Sequence, residues 1–123
     1  MSPTNYVTEA QLRSNFAYLF GTVAEICELR YGEKPSTKFE EIEIKTVKLA
    51  SDGFLSDYLV SNLSALYKLY PELLPGKKHT QQWLKNLSSL LHIVIGDLCA
   101  EIKELTDEAD EHAEQMLLKS LIG

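Results

Sequence analysis

Seven apolar residues, Leu84, Leu87, Leu91, Val94, Leu98, Ile102 and Leu105, recur at intervals of three and four. Strand side chains alternate with a period of two, so this seam dictates a helix of about six turns with one apolar side. Such a helix has to bury that side against other helices. A chain of 123 residues has room for one core, and not for separate cofactor and substrate lobes. The seam stays close to a heptad over three repeats, which leaves a homodimer through Leu84 to Leu105 as a second way of covering it. The central helix of a bundle is the favoured expectation.

The rest of the chain supplies the partners. Thr8 and Gln11 have capping-box spacing, and from there Leu12, Phe16, Leu19, Phe20, Val23, Ile26 and Cys27 form an apolar stripe that Gly32 should stop. The stretch from Gly32 to Ser36 is a turn by composition, and Thr37 with Glu40 has the spacing of a second capping box. Ile42, Ile44, Val47 and Leu49 can be read as partly alternating or as two sides of a buried helix. Helix is preferred, because a lone strand finds no partner elsewhere in the sequence. After the break at Ser51-Asp52-Gly53, the residues Leu55, Leu59, Leu63, Leu66 and Tyr70 step by three and four again.

Pro71, Pro75 and Gly76 close that segment, with Leu73 and Leu74 expected to tuck a short turn against the core. Thr80 is placed to cap the helix that carries the long seam. Thr106-Asp107 is expected to restart the helix after a kink, with Ala109, Ala113, Met116, Leu117 and Leu121 continuing its apolar side. The sum is an all-α, single-domain bundle of four to five mostly antiparallel helices spanning residues 1–123, with a flexible segment at 1–7 and a loop at 71–79.

Composition narrows the function classes. With 45% hydrophobic and 24% charged residues, 6 Gly and 4 Pro, the chain is neither disordered nor collagen-like. A formal charge of −6 has the wrong sign for gripping a phosphate backbone, so direct nucleic-acid binding is not expected. No run approaches the roughly 18 apolar residues of a membrane span. The polar start lacks the cationic and apolar regions of a secretion signal. Cys27 and Cys99 lie among apolar residues and are expected to be free, buried thiols rather than a disulfide. A cytoplasmic protein is the resulting expectation.

The sharpest charge feature runs from Asp97 to Glu114, where eight carboxylates face Lys103 alone, a local charge of −7. It exceeds the charge of the whole chain, so the electrostatic field is one-sided. Glu101, Glu104, Asp107, Glu108 and Glu111 are therefore the candidate residues for docking another protein with a basic surface, where they would steer and pair with Lys or Arg. Buried aromatics hold such complexes, which makes Tyr67, Tyr70 and Trp83 the candidate apolar anchors, with Tyr58 in the same aromatic set. The expected function is non-enzymatic: a small acidic inhibitor or immunity-type protein that blocks a basic active site on its partner. A helical assembly subunit fits the same features.

Catalytic constellations are sparse. No Gly-x-Ser-x-Gly elbow and no Gly-rich phosphate loop occur, and neither cysteine has a histidine near it in sequence. Glu104, Glu108 and His112 share one side of a helix, but metal sites in bundles draw ligands from several helices. No catalytic residue, metal ligand or cofactor is assigned. The alternative comes from Glu25-x-x-Glu28 and Glu40-x-x-Glu43, which could converge on Mg²⁺ from two neighbouring helices. Their spacing resembles the Glu-x-x-Glu and Glu-x-x-Asp pattern of the helical nucleotide pyrophosphohydrolases. Here Glu43 stands where that family carries Asp, and the intervening segment is short. The resemblance implies Mg²⁺-dependent cleavage of a nucleoside triphosphate by these four carboxylates.

Overall fold

The computed structural model describes residues 6–73 and 75–122. Those residues form an all-α, single-domain bundle: α1 (Glu9–Tyr31), α2 (Phe39–Ser51), α3 (Asp57–Leu69), a 3-10 turn at Tyr70–Leu73, and α4 (Gln81–Ile122). Local chemistry sets most of the boundaries. The Gln11 amide donates its backbone N–H to the Thr8 hydroxyl at 3.1 Å, and the Thr8 N–H is returned to the Gln11 side chain at 3.0 Å, so the capping box at the head of α1 is complete. Gly32 ends α1 at φ 80°, a left-handed conformation in which any Cβ is strained. Ser56 caps α3 and Thr80 caps α4, each hydroxyl accepting a backbone N–H three residues on.

Two local expectations need correction. Thr37 and Glu40 form no capping box; Lys38 is the N-cap of α2 and has no side-chain cap. The Ser36 hydroxyl takes the Lys38 N–H instead, at 3.2 Å, and this turn fixes the entry to the helix one residue later than the sequence spacing suggests. The expected kink at Thr106-Asp107 is also absent, and α4 continues through it without a break. Neither residue breaks a helix once the turn before it is formed, and Lys103 bonds Asp107 at 2.8 Å across that turn. Of the segment 1–7, only Tyr6 and Val7 are described, and Leu74 likewise lies outside the described residues.

The core is made by α1, α3 and the first half of α4. Leu12, Phe16, Leu19, Val23 and Ile26 of α1 are fully buried, as are Leu91, Val94 and Leu98 of α4. Each such side chain stabilises the fold by about 1.5–3 kcal/mol. The two helices run side by side in the same direction, not antiparallel as short loops lead one to expect, because the chain doubles back after α1 before the next helix begins. Val7 exchanges two hydrogen bonds with the Gln81 side chain at one end, and Arg30 pairs with Glu101 at 3.3 Å towards the other. α3 runs against α1: Phe54 ahead of it packs on Tyr31, and Tyr70 beyond it packs on Phe16 and Phe20.

The short α2 resolves the ambiguous segment as helix. Ile42 and Leu49 point into the core while Ile44 and Val47 stay exposed, which is why the four read partly as alternation. Phe39 at its start meets Phe20, and Asp52 just past its end bonds the Tyr31 hydroxyl. α2 therefore runs the same way as α1, and residues 32–38 have to travel back about 17 Å along α1. Seven extended residues reach about 23 Å, so the Pro35-containing connection is long enough with little slack.

Candidate protein-binding surface

The first half of α4 is buried between α1 and α3, Ile102 and Leu105 are half-buried, and from Thr106 to Ile122 every residue is exposed. The cause is a length mismatch. α1 spans 23 residues and α4 spans 42, so at 1.5 Å per residue α4 outruns its partner by about 28 Å. α1 stops at Gly32, and the Arg30 to Glu101 pair marks the last level at which the two helices touch through charged groups. Residues 106–122 project beyond the bundle for about 26 Å.

Carboxylates and apolar residues divide the surface of this projection. At 3.6 residues per turn, Glu101, Glu104, Glu108 and Glu111 fall on one line, with Asp107 and Glu114 beside it. The line that continues the buried seam past Leu105 carries Ala109, Ala113 and Met116 and lies about 110° round the helix from it, with Asp107 and Glu114 on the side opposite the seam. The last turns add exposed apolar residues: Met116 is 54% exposed, Leu117 61%, Leu118 51%, Leu121 75% and Ile122 87%. The sequence pattern makes Met116, Leu117 and Leu121 part of the apolar side of the helix and gives no place to Leu118 and Ile122. The sign that these five are not core is the length of α4 against that of α1, hidden by the expected kink at residue 106.

The predicted site residues do not all stand free. Glu101 is half-buried and held by Arg30, whose guanidinium also lies 4.2 Å over the Phe54 ring. Asp107 is paired within the helix to Lys103, and its carboxylate holds that lysine above the ordinary range. Glu104, Glu108 and Glu111 are exposed and, among the described residues, meet no cation. These three, with Asp110 and Glu114, carry the open acidic field.

The aromatic candidates sit elsewhere. Tyr67 is buried at 8% exposure, and its hydroxyl lies 2.9 Å from Thr46 Oγ1. Tyr70 packs within 5.1 Å of Phe16, Phe20 and Phe39, so both tyrosines belong to a core cluster of five rings. Trp83 is half-buried at the opposite end of α4, where His79 stacks on it at 3.7 Å. It is about 32 Å along the helix from Glu104, so a partner contact of ordinary size would not reach both. Tyr58 is 65% exposed on α3. The loop lysine Lys77 pairs with Glu72 at 2.9 Å rather than with the acidic half of α4.

The carboxylates of the alternative reading, Glu25, Glu28, Glu40 and Glu43, are all exposed. Among the described residues, neither they nor Glu104, Glu108 and His112 form a group of three side chains close enough to hold a metal ion. Glu43 instead stands at the rim of an apolar groove of ≈ 400 Å³ between α2 and α3, with Lys68 also on its lining and Val47, Val60 and Tyr67 among its walls. Cys27 and Cys99 are both free; Cys27 is buried, while Cys99 is half-buried with its Sγ 4.0 Å from the Tyr18 hydroxyl. No described helix is long and apolar enough to cross a membrane. Comparison with protein families, curated proteins and solved structures finds no match.

Proposed function

We propose that this chain is a non-enzymatic protein-binding module, most concretely a small acidic inhibitor or immunity-type protein that covers a basic active site on another protein. One observation carries the reading: α4 leaves the bundle and holds Glu104, Glu108, Asp110, Glu111 and Glu114 in solvent, among the described residues without cations of their own. A rigid helix with carboxylates at every turn can enter a basic cleft and replace the anions that cleft normally attracts. Charge of this kind raises the association rate and selects the partner, and apolar contacts hold the complex once formed. In this role Leu117, Leu118 and Leu121 take over the anchoring expected of Tyr67 and Tyr70, because they share the projection with the acids and lie off the seam. A cytoplasmic location belongs to the same reading, supported by two free thiols on a chain with a real core.

The test compares wild-type protein with the E104K/E108K variant as bait in its native cell lysate, eluted with rising salt. The reading expects one stoichiometric basic protein, released by salt from the wild type and lost from the variant. Circular dichroism should show equal helicity in the two, since both positions are exposed. Retention of the same partner by the variant, or no partner at low salt, removes the acidic-face reading.

A further inference from the structure

The apolar side of the projection needs a different occupant from its acidic side. The buried seam of α4 continues past the end of α1 through Leu105, Ala109, Ala113 and Met116, now without a helix against it. Its spacing over Val94, Leu98, Ile102, Leu105, Ala109, Ala113 and Met116 is four, four, three, four, four, three. That is an eleven-residue repeat, whose 3.67 residues per turn keeps a stripe nearly straight along a helix. A second straight helix is the shape that fits it.

We infer that the occupant is the same segment of a second copy, packed antiparallel along residues 105–122. The charge pattern selects this arrangement. Lys119 is the one cation between residues 106 and 122, and it stands eleven residues, or three turns, from Glu108 on the same flank of the seam. In an antiparallel pair related by a twofold axis, each flank faces its own counterpart. Placing Glu108 level with Lys119 of the second copy sets the register, and the symmetry repeats the ion pair at the other end.

The same register puts Ala109 level with Leu118 and Ala113 level with Glu114, so the seam residues of the two helices interleave rather than collide. Gln115 falls level with His112 on the flank that carries the ion pairs. No carboxylate of the projection is level with a carboxylate across the pair, and Asp107, Glu111 and Glu114 remain on the outer faces. A parallel pair would instead set this flank against the other one, which carries Thr106, Asp110 and Leu117 and offers Glu108 no cation. The alanines at the centre allow close approach of the two backbones.

The contact strip is about 26 Å long and about 10 Å wide on each helix, below the usual size of a stable interface. The dimer is therefore concentration-dependent, with dissociation in the micromolar range or weaker. It occupies Glu108 but leaves Glu104, Asp110, Glu111 and Glu114 of each copy open, so it can exist alongside the partner binding proposed above.

Sedimentation equilibrium of the full chain, from about 10 μM to about 1 mM, tests the inference. The wild-type mass should rise from 13.9 kDa towards twice that value. Ala113→Glu, at an exposed helical position, should stay monomeric throughout with unchanged helicity. Lys119→Glu should weaken the dimer about fivefold to tenfold, since two exposed ion pairs are lost at once. Adding Glu108→Lys to it should return the affinity to within about twofold of wild type, an outcome that only the antiparallel register produces. A wild-type chain that remains at 13.9 kDa at the highest concentration overturns the inference. So does an Ala113→Glu variant that still dimerises, or a charge swap that fails to restore association.

Discussion

Tyr67→Phe separates the two roles that can be given to this tyrosine, core residue or partner anchor, through the pH dependence of stability. The Thr46 hydroxyl donates to the Ile42 carbonyl at 2.8 Å and lies 2.9 Å from the Tyr67 oxygen. The Tyr67 O–H is then the donor to Thr46, and deleting it removes one neutral hydrogen bond, about 1 kcal/mol near neutrality. Burial pushes the phenol up to about 12, and the Glu43 carboxylate adds to the rise. The folded state thus favours the neutral phenol more than the unfolded chain does, for which ionisation begins near pH 10. The contribution is fully present below about pH 10 and is lost as pH rises through about 12. At about 1.4 kcal/mol per pH unit, the wild type forfeits about 2–3 kcal/mol over that window, and the phenylalanine variant does not. The order of stability should reverse near pH 10.6, leaving the variant about 1 kcal/mol the more stable at pH 12. Urea unfolding of both chains at pH 8, 10, 11 and 12, followed by circular dichroism, measures the difference directly. The other tyrosines titrate in both chains and cancel. A gap between wild type and variant that stays constant from pH 8 to 12 would refute the buried, desolvated placement of Tyr67.

Two further outcomes follow from the division of α4. Leu98→Ala, at a fully buried position, should lower stability by about 2–5 kcal/mol. Leu121→Ala, 75% exposed, should change the stability of the monomer by less than about 0.5 kcal/mol in dilute solution; equal losses at the two sites would mean that the helix does not leave the bundle. In a native thiol-labelling assay Cys99 should react first and Cys27 only on unfolding, since burial encloses Cys27 and pushes its thiol up. Equal rates for the two thiols would contradict the packing of α1.

The parts of the fold legible in sequence are those governed by chemistry within one or two turns. The Thr8 and Gln11 box, the left-handed stop at Gly32 and the Thr80 cap each involve groups three or four residues apart, and each is found where the spacing places it. Thr37 with Glu40 shows the limit of such spacing. Ser36 reaches the Lys38 N–H first, and a competing side chain of that kind decides the cap. The candidate site was legible by charge and not by exposure. The seam of α4 has the same periodicity where it is buried, at Leu91 and Leu98, as where it is bare, at Ala109 and Met116. Whether such a stripe becomes core depends on what lies opposite, which is set by Gly32, 73 residues before Leu105 in the chain. Tyr67 and Tyr70 were misplaced for the same reason, as amphipathic rings suit an interface and a core rim equally.

A helix standing free in water also needs its own physical account, because isolated helices of this length are only marginally stable. The projection avoids the main penalty, nucleation, by growing from turns already held by Leu91, Val94 and Leu98. Its residues are mostly strong helix formers, with Lys103 bonding Asp107 across the point where support from the bundle ends. Helix propensity explains why the segment is ordered, but it would do so with any polar surface. It does not account for Met116, Leu117, Leu118, Leu121 and Ile122 lying open to solvent on one short stretch, an exposure that favours association. The carboxylates on the far side keep such a surface soluble and repel indiscriminate contact, while leaving the seam side free for a second helix. Acid on one face and an uncovered seam on the other thus call for two different occupants, one basic and one apolar, and a single helix can serve both at once.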